Sequence, residues 1–235
     1  MQKNNLKNIN IRGFIAIVLY SLVVCLSGYA AWLGREVAPS DANYLNPTRL
    51  EYKAENGDAT SQYLLGMLYF SGHIVKEDQA KALLWFKRAA GNNHTDAQYQ
   101  VCNLLEQSDP NTAFNMCYVA AQKMHKEASA RLGVWYLKGT PHEPPNGLKG
   151  ATFLSVAAEQ GHVTAMYNLA QVYKTGAGVK EDLDRAYYWV SMAEALEQNA
   201  DVKAMLSTTK SEWGSKLNKK TKDAIEQKVL EKLKK

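Results

Sequence analysis

Five histidines, three cysteines and one Gly-Ala-Gly stretch are the places in this 235-residue chain where residue type alone could support chemistry. The histidines do not assemble into a set. His73 falls in a loop between two helical patterns, His94 and His162 follow turns between repeats, His125 lies near a helix end and His142 belongs to a proline-rich loop. No HExxH pair and no close cysteine pairing offers a zinc ion its ligands. Gly176-Ala177-Gly178 lacks both the third glycine and the preceding strand that a phosphate-cradling loop requires, so it reads as a hairpin turn. No GxSxG nucleophile elbow occurs, and the carboxylates are scattered over helix surfaces rather than paired for acid–base work. With the repeat pattern below, these absences predict a non-enzymatic chain with no catalytic, metal or cofactor residues.

Cys102 and Cys117 sit on the two helices of one predicted hairpin, and two readings of them stand. As a disulfide they would close a loop worth about 3 kcal/mol in the chain-entropy model, provided the compartment is oxidising. As buried thiols they would act as small apolar side chains. The helical register favours thiols, since it leaves the pair about one turn out of opposition. Cys25 lies within an apolar run behind the bulky Val24, which fits a membrane residue better than a lipidation site.

The elements that carry these residues follow one template. From Asp58 to Gly91, Tyr63, Leu65, Gly66 and Tyr69 form one apolar helical stripe, and Ala82, Trp85, Phe86, Ala89 and Ala90 form a second. Between them, Ser71 to Asp78 supplies Gly72 for the turn and Asp78 to cap the second helix. Small residues recur at Gly66, Cys102, Gly133 and Ala170, and again at Ala82, Ala113, Ala151 and Ala186, at matching periods. Helix pairs of this period cannot bury their apolar faces alone, so they stack into a solenoid.

Leu65-Gly66-Met67-Leu68-Tyr69, Lys81-Ala82 followed by Trp85 and Ala89-Ala90, and Gly176-Ala177-Gly178-Val179-Lys180-Glu181-Asp182 resemble the Sel-one-like repeat family, an offshoot of the tetratricopeptide class. The likeness runs from Leu50 to Ala193. Cys102 and Ala170 depart from it by replacing the marker glycine, and the second repeat lacks the glycine loop. The resemblance implies an all-α solenoid of about four helix-hairpin repeats with helical caps, used for recognition rather than catalysis. It further implies the bacterial envelope, where relatives are accessory parts of secretion and other assemblies. Some exported relatives are instead immunity proteins that block toxic enzymes such as lipases. Others serve in endoplasmic-reticulum quality control, a role for which this chain is short.

Residues 1–12 carry Lys3, Lys7 and Arg12, Gly13 to Leu33 holds no charge, and Arg35 and Glu36 follow at once. At about 1.5 Å per residue this run reaches about 31 Å, enough to cross the hydrocarbon core. The basic flank predicts a cytoplasmic N-terminus, a single-pass anchor at 13–33 in the inner membrane, and repeats in the periplasm. The alternative is a signal peptide cleaved after Ala30, which would leave a soluble periplasmic protein. Residues 34–47 read as a linker, and 48–193 as the array, with Leu50 to Gly57 a partial leading repeat. Residues 194–235 read as capping helices with a basic tail. From Asp201 onward that tail holds ten lysines against five acidic residues, an excess equal to the whole chain's net charge of +5. A solvated helix face accounts for it, and an anionic partner or lipid surface is the other reading. With basic residues gathered at two ends on opposite sides of a membrane, no nucleic-acid partner is expected.

The first helices of a stacked array line its inner face, and positions one and four after each small marker point away from the helix seam. That rule selects Met67, Phe70, Asn103, Glu106, Val134, Leu137, Gln171 and Lys174 as a partner-binding groove of mixed polarity. The expected partner is a periplasmic protein. It is either a component of an envelope complex held by an adaptor or an effector enzyme plugged by an inhibitor, and no small-molecule substrate is expected. Lys138 to Lys149, with three prolines, reads as a recognition loop or as a tolerated insertion.

Overall fold

The computed structural model describes residues 45–234. The expected membrane span at 13–33, its cytoplasmic flank and nearly all of the linker lie outside the described residues, and no described helix is long and apolar enough to cross a membrane. The array lies within the compact unit Glu51–Lys235.

Eleven helices and no strand occur among the described residues. After a leading helix α1 (Pro47–Glu55) come four hairpins: α2 (Ala59–Ser71) with α3 (Gln79–Gly91), α4 (Thr95–Leu105) with α5 (Pro110–Gln122), α6 (Lys126–Lys138) with α7 (Gly147–Glu159), and α8 (Val163–Thr175) with α9 (Leu183–Leu196). From α2 to α9 each helix packs on the next, and α9 then carries both α10 (Ala200–Gly214) and α11 (Lys219–Leu233). This is an α-solenoid in which every repeat covers its neighbour.

Capping fixes the register of the second helices. Asp78, Asp109, Asn146 and Asp182 each accept the backbone N–H of the residue three places on, at 2.9, 3.1, 3.0 and 2.9 Å. Four places after each cap stands a buried small residue: Ala82, Ala113, Gly150 and Ala186. In the third repeat the structural equivalent is therefore Gly150, one residue before the expected Ala151. The reason is steric, because a Cβ on Gly150 would come within 2.7 Å of Leu137 Cδ2.

At the helix seam a marker glycine faces a large side chain. A Cβ on Gly66 would lie 2.6 Å from the Phe86 ring, and one on Gly133 would lie 2.5 Å from Leu154 Cγ. In the second repeat the same rung holds Cys102 and Cys117, which are disulfide-bonded with their Cα atoms 5.3 Å apart. The expected offset of one turn is thus absent. The shortening of this repeat is taken up at the hairpin tip, where α4 ends early and the connector is brief, and Cys117 stays four residues after Ala113 just as Phe86 stays four after Ala82.

The turns between repeats are also copies of one another. The N–H groups of Asp58, His94, His125 and His162 donate to the carbonyls of Lys53, Ala89, Ala120 and Ala157 at 3.0 to 3.1 Å. The residue before each is left-handed: Gly57, Asn93, Met124 and Gly161, with φ of 89, 70, 61 and 84°. Helix α1 enters the array through this same turn.

The longest connection among the described residues, between α6 and α7, is held at several points. Thr140 Oγ1 accepts the N–H of Glu143 at 3.0 Å, Lys149 bridges both Glu143 oxygens at 2.8 Å, and the His142 ring meets Phe114 edge-on at 5.0 Å. At its end Gly147 lies against the backbone of Ala177 and Gly178, where a Cβ would come within 2.0 Å of the Ala177 carbonyl oxygen. The far end of the array is closed around Tyr187, whose hydroxyl donates to Glu226 of α11 at 2.7 Å and whose ring covers Gly214 of α10.

Candidate functional site

The histidines that formed no site in the sequence cap the first helices. His94, His125 and His162 accept the backbone N–H groups of Ala97, Ala128 and Ala165 on Nδ1 at 3.4, 3.2 and 3.2 Å, and Asp58 does the same for Ser61 in the first repeat at 2.9 Å. An accepting Nδ1 requires an unprotonated nitrogen there, so the remaining proton sits on Nε2. Burial pushes His94 below the usual imidazole pKa against the opposing pull of Asp96 and Asp58, and burial likewise lowers His162 against Glu127. His125 Nε2 lies 3.2 Å from Asp96, and that contact holds the Asp96 carboxyl below its ordinary range.

Two of these caps carry a ring on top. Tyr63 stacks on His94 with centroids 4.5 Å apart and planes 17° apart, and Tyr99 stacks on His125 at 4.8 Å and 29°. Each tyrosine stands three residues before its repeat's small marker. In the third repeat that place is Ala130. Without a ring there, a groove of about 340 Å³ opens between α4, α6 and α8, floored by Ala130 and His162 and walled by Tyr99, Arg131, Trp135 and Asn168.

Its polar wall is organised by Glu106. Arg131 pairs with Glu106 Oε2, Trp135 Nε1 donates to Oε1 at 3.1 Å, and a second Arg131 nitrogen donates to Asn103 at 3.0 Å. The Arg131 guanidinium also lies 5.9 Å from the Tyr99 ring centroid, and Trp135 is 5.9 Å from Phe114. Both carboxylate oxygens of Glu106 are thereby engaged. Lys138, on the same groove, has no ion-pair partner among the described residues.

Of the residues expected to form the groove, Glu106 and Val134 line it, and Asn103 reaches its wall through Arg131. Leu137 packs onto Gly150 instead. Met67 is half-buried in α2, and the exposed Phe70 keeps its ring 6.4 Å from Phe86. Gln171 donates to Tyr167 Oη at 2.9 Å, and Lys174 Nζ lies 3.5 Å from Glu181, so neither joins the others. Sequence reasoning passed over Tyr99, Arg131, Trp135, Lys138, His162 and Asn168. The usable signal was spacing, since His94, His125 and His162 each precede Cys102, Gly133 and Ala170 by the same eight residues.

A Sel1-repeat family model matches residues 59–94, 126–162 and 163–197, which are the first, third and fourth hairpins with their turns. The chain carries Sel1 repeats. It is 30% identical over 131 residues to the chitin synthase regulator SKT5 of Saccharomyces cerevisiae, a match covering 51% of this chain and 19% of that protein. It is 29% identical over 157 residues to the Sel1-repeat-containing protein YjcO of Escherichia coli, covering 62% of this chain and 65% of YjcO. The chain thus spans about a fifth of the first of these relatives and 65% of the second. A crystal structure of a Sel1 repeat protein from Oxalobacter formigenes superposes with a TM-score of 0.60 at 24% identity over 70% of this chain and 65% of that one, a likeness of fold. Sel1-repeat proteins bind protein partners in general, and the Sel1 solenoid is typically a non-enzymatic scaffold.

Proposed function

We propose that this Sel1-repeat chain is a non-enzymatic adaptor that holds a protein partner in the periplasm, tethered to the inner membrane by residues 13–33, as an accessory or assembly component of a secretion or other envelope complex. The observation that carries the reading is the open groove between the second, third and fourth repeats, whose tryptophan, tyrosine and arginine are the side chains enriched at protein interfaces. The uncharged run from Gly13 to Leu33 supports the tether, and the bonded Cys102 and Cys117 suit an oxidising compartment. The name of the yeast relative, a regulator of another protein, agrees with a partner-binding role.

Crosslinked affinity purification of the tagged full-length protein from its native membranes, with mass spectrometry of partners and of the bait's N-terminus, tests the reading. A multiprotein membrane assembly and an intact N-terminus are expected. Recovery of one exported enzyme with a bait beginning at Ala31 would overturn it in favour of a soluble inhibitor.

A further inference from the structure

The array supplies its own template for what the groove takes. At two successive joints a tyrosine ring lies flat on the histidine that caps the following first helix, and at the third joint the tyrosine is missing because Ala130 occupies its place. We propose that Ala130 and His162 form a receptor hole for an aromatic side chain of the protein partner, which inserts where Tyr63 and Tyr99 stand at the earlier joints. This rests on the adaptor reading and names the chemistry that the groove selects.

Geometry and charge define the occupant. His162 accepts the Ala165 N–H on Nδ1 and lines the groove, and no ring among the described residues stacks on it as Tyr63 and Tyr99 stack on His94 and His125. A flat ring on an imidazole gains both apolar burial and a favourable stack. Arg131 is already matched by Glu106, whereas Lys138 is the groove's cation without an ion-pair partner among the described residues. A carboxylate beside the inserted ring would meet it, so the recognised element is an aromatic residue with an acidic neighbour. A space of about 340 Å³ accommodates the ring together with part of that neighbour.

The imidazole resonance of His162 in the detergent-solubilised full-length protein reads this directly, assigned by its loss in His162→Asn, which retains a capping side chain. The probes are the blocked peptide acetyl-Gly-Tyr-Glu-Gly-amide and its counterpart with alanine in place of tyrosine. The tyrosine peptide should move the His162 signal upfield by its ring current and the alanine peptide should not. Ala130→Tyr should produce that shift unaided and abolish the response to peptide. No shift with the tyrosine peptide up to its solubility limit, or an equal response to the alanine peptide, would overturn the proposal. Should Ala130→Tyr fail to fold, saturation transfer to the peptide's phenol protons decides: it should be present with the native protein and lost in His162→Asn, and its persistence refutes the hole. Partner capture from membranes separates this proposal from its premise. Equal capture by the native and Ala130→Tyr proteins sinks the aromatic hole and leaves the adaptor standing, while no capture by the native protein removes both.

Discussion

At the scale of single residues, the turn between repeats asks for a left-handed backbone at one position. Gly57, Asn93 and Gly161 suit it, since glycine has no Cβ to clash and asparagine tolerates this region better than most. Met124 does not. Its side chain is 63% exposed and its φ is 61°, so it pays the steric cost of that conformation with little burial in return. The expected outcome of Met124→Gly is a gain of about 1 kcal/mol in stability, measured by urea denaturation. The left-handed site was legible only by aligning the four turns, because methionine by itself gives no sign of a turn. The histidine caps were hidden for a related reason, as a histidine at a helix start is rarer than the Asp, Asn, Ser or Thr that caps usually employ.

At the scale of helices, the hairpins were readable because small residues mark where two backbones meet and because Asp78, Asp109 and Asp182 are ordinary caps. Two places escaped. Gly150 and Ala151 are adjacent small residues, and composition cannot say which faces the seam until the Asn146 cap sets the count. Leu137 lies away from the groove because a rule based on distance from a marker assumes identical neighbours, while Gly150 draws Leu137 inward. The seam itself gives a sharp prediction. In Gly133→Ala the added methyl would sit 2.5 Å from Leu154 Cγ and 3.0 Å from the Leu154 backbone nitrogen, so neither atom can yield cheaply. A loss of about 2 kcal/mol is expected in thermal or urea melts, and Leu154→Val combined with it should recover part of that loss. The second and fourth repeats tolerate Cys102 and Ala170 at the marker because Cys117 and Val190, four residues after their small second-helix residues, are smaller than leucine.

For the whole molecule, the caps recur at three joints, so their protonation acts on the stack rather than on one helix. His94 and His162 have folded pKa values held below the ordinary imidazole value mainly by burial, with Lys123 adding to the effect at His94 and Lys126 at His162. The unfolded chain therefore takes up protons first as pH falls below about 6.5, and stability present above that pH declines until the folded pKa values are passed. The melting temperature should fall between pH 7.5 and 5.5, and His94→Asn should flatten the dependence while keeping a cap. A melting temperature that does not change over this range would show that the caps survive protonation. The repeats would stack alike in any aqueous compartment, so the periplasmic location proposed above rests on the uncharged run at 13–33 and not on the helices. In any compartment a folded chain meets proteases, which must draw a stretch of backbone into an extended strand before cutting. The connection between α6 and α7 offers the greatest length among the described connections and three prolines, yet its Thr140, His142 and Gly147 contacts hold it near both ends and in the middle. Limited digestion should accordingly spare the loop that looks most open to attack.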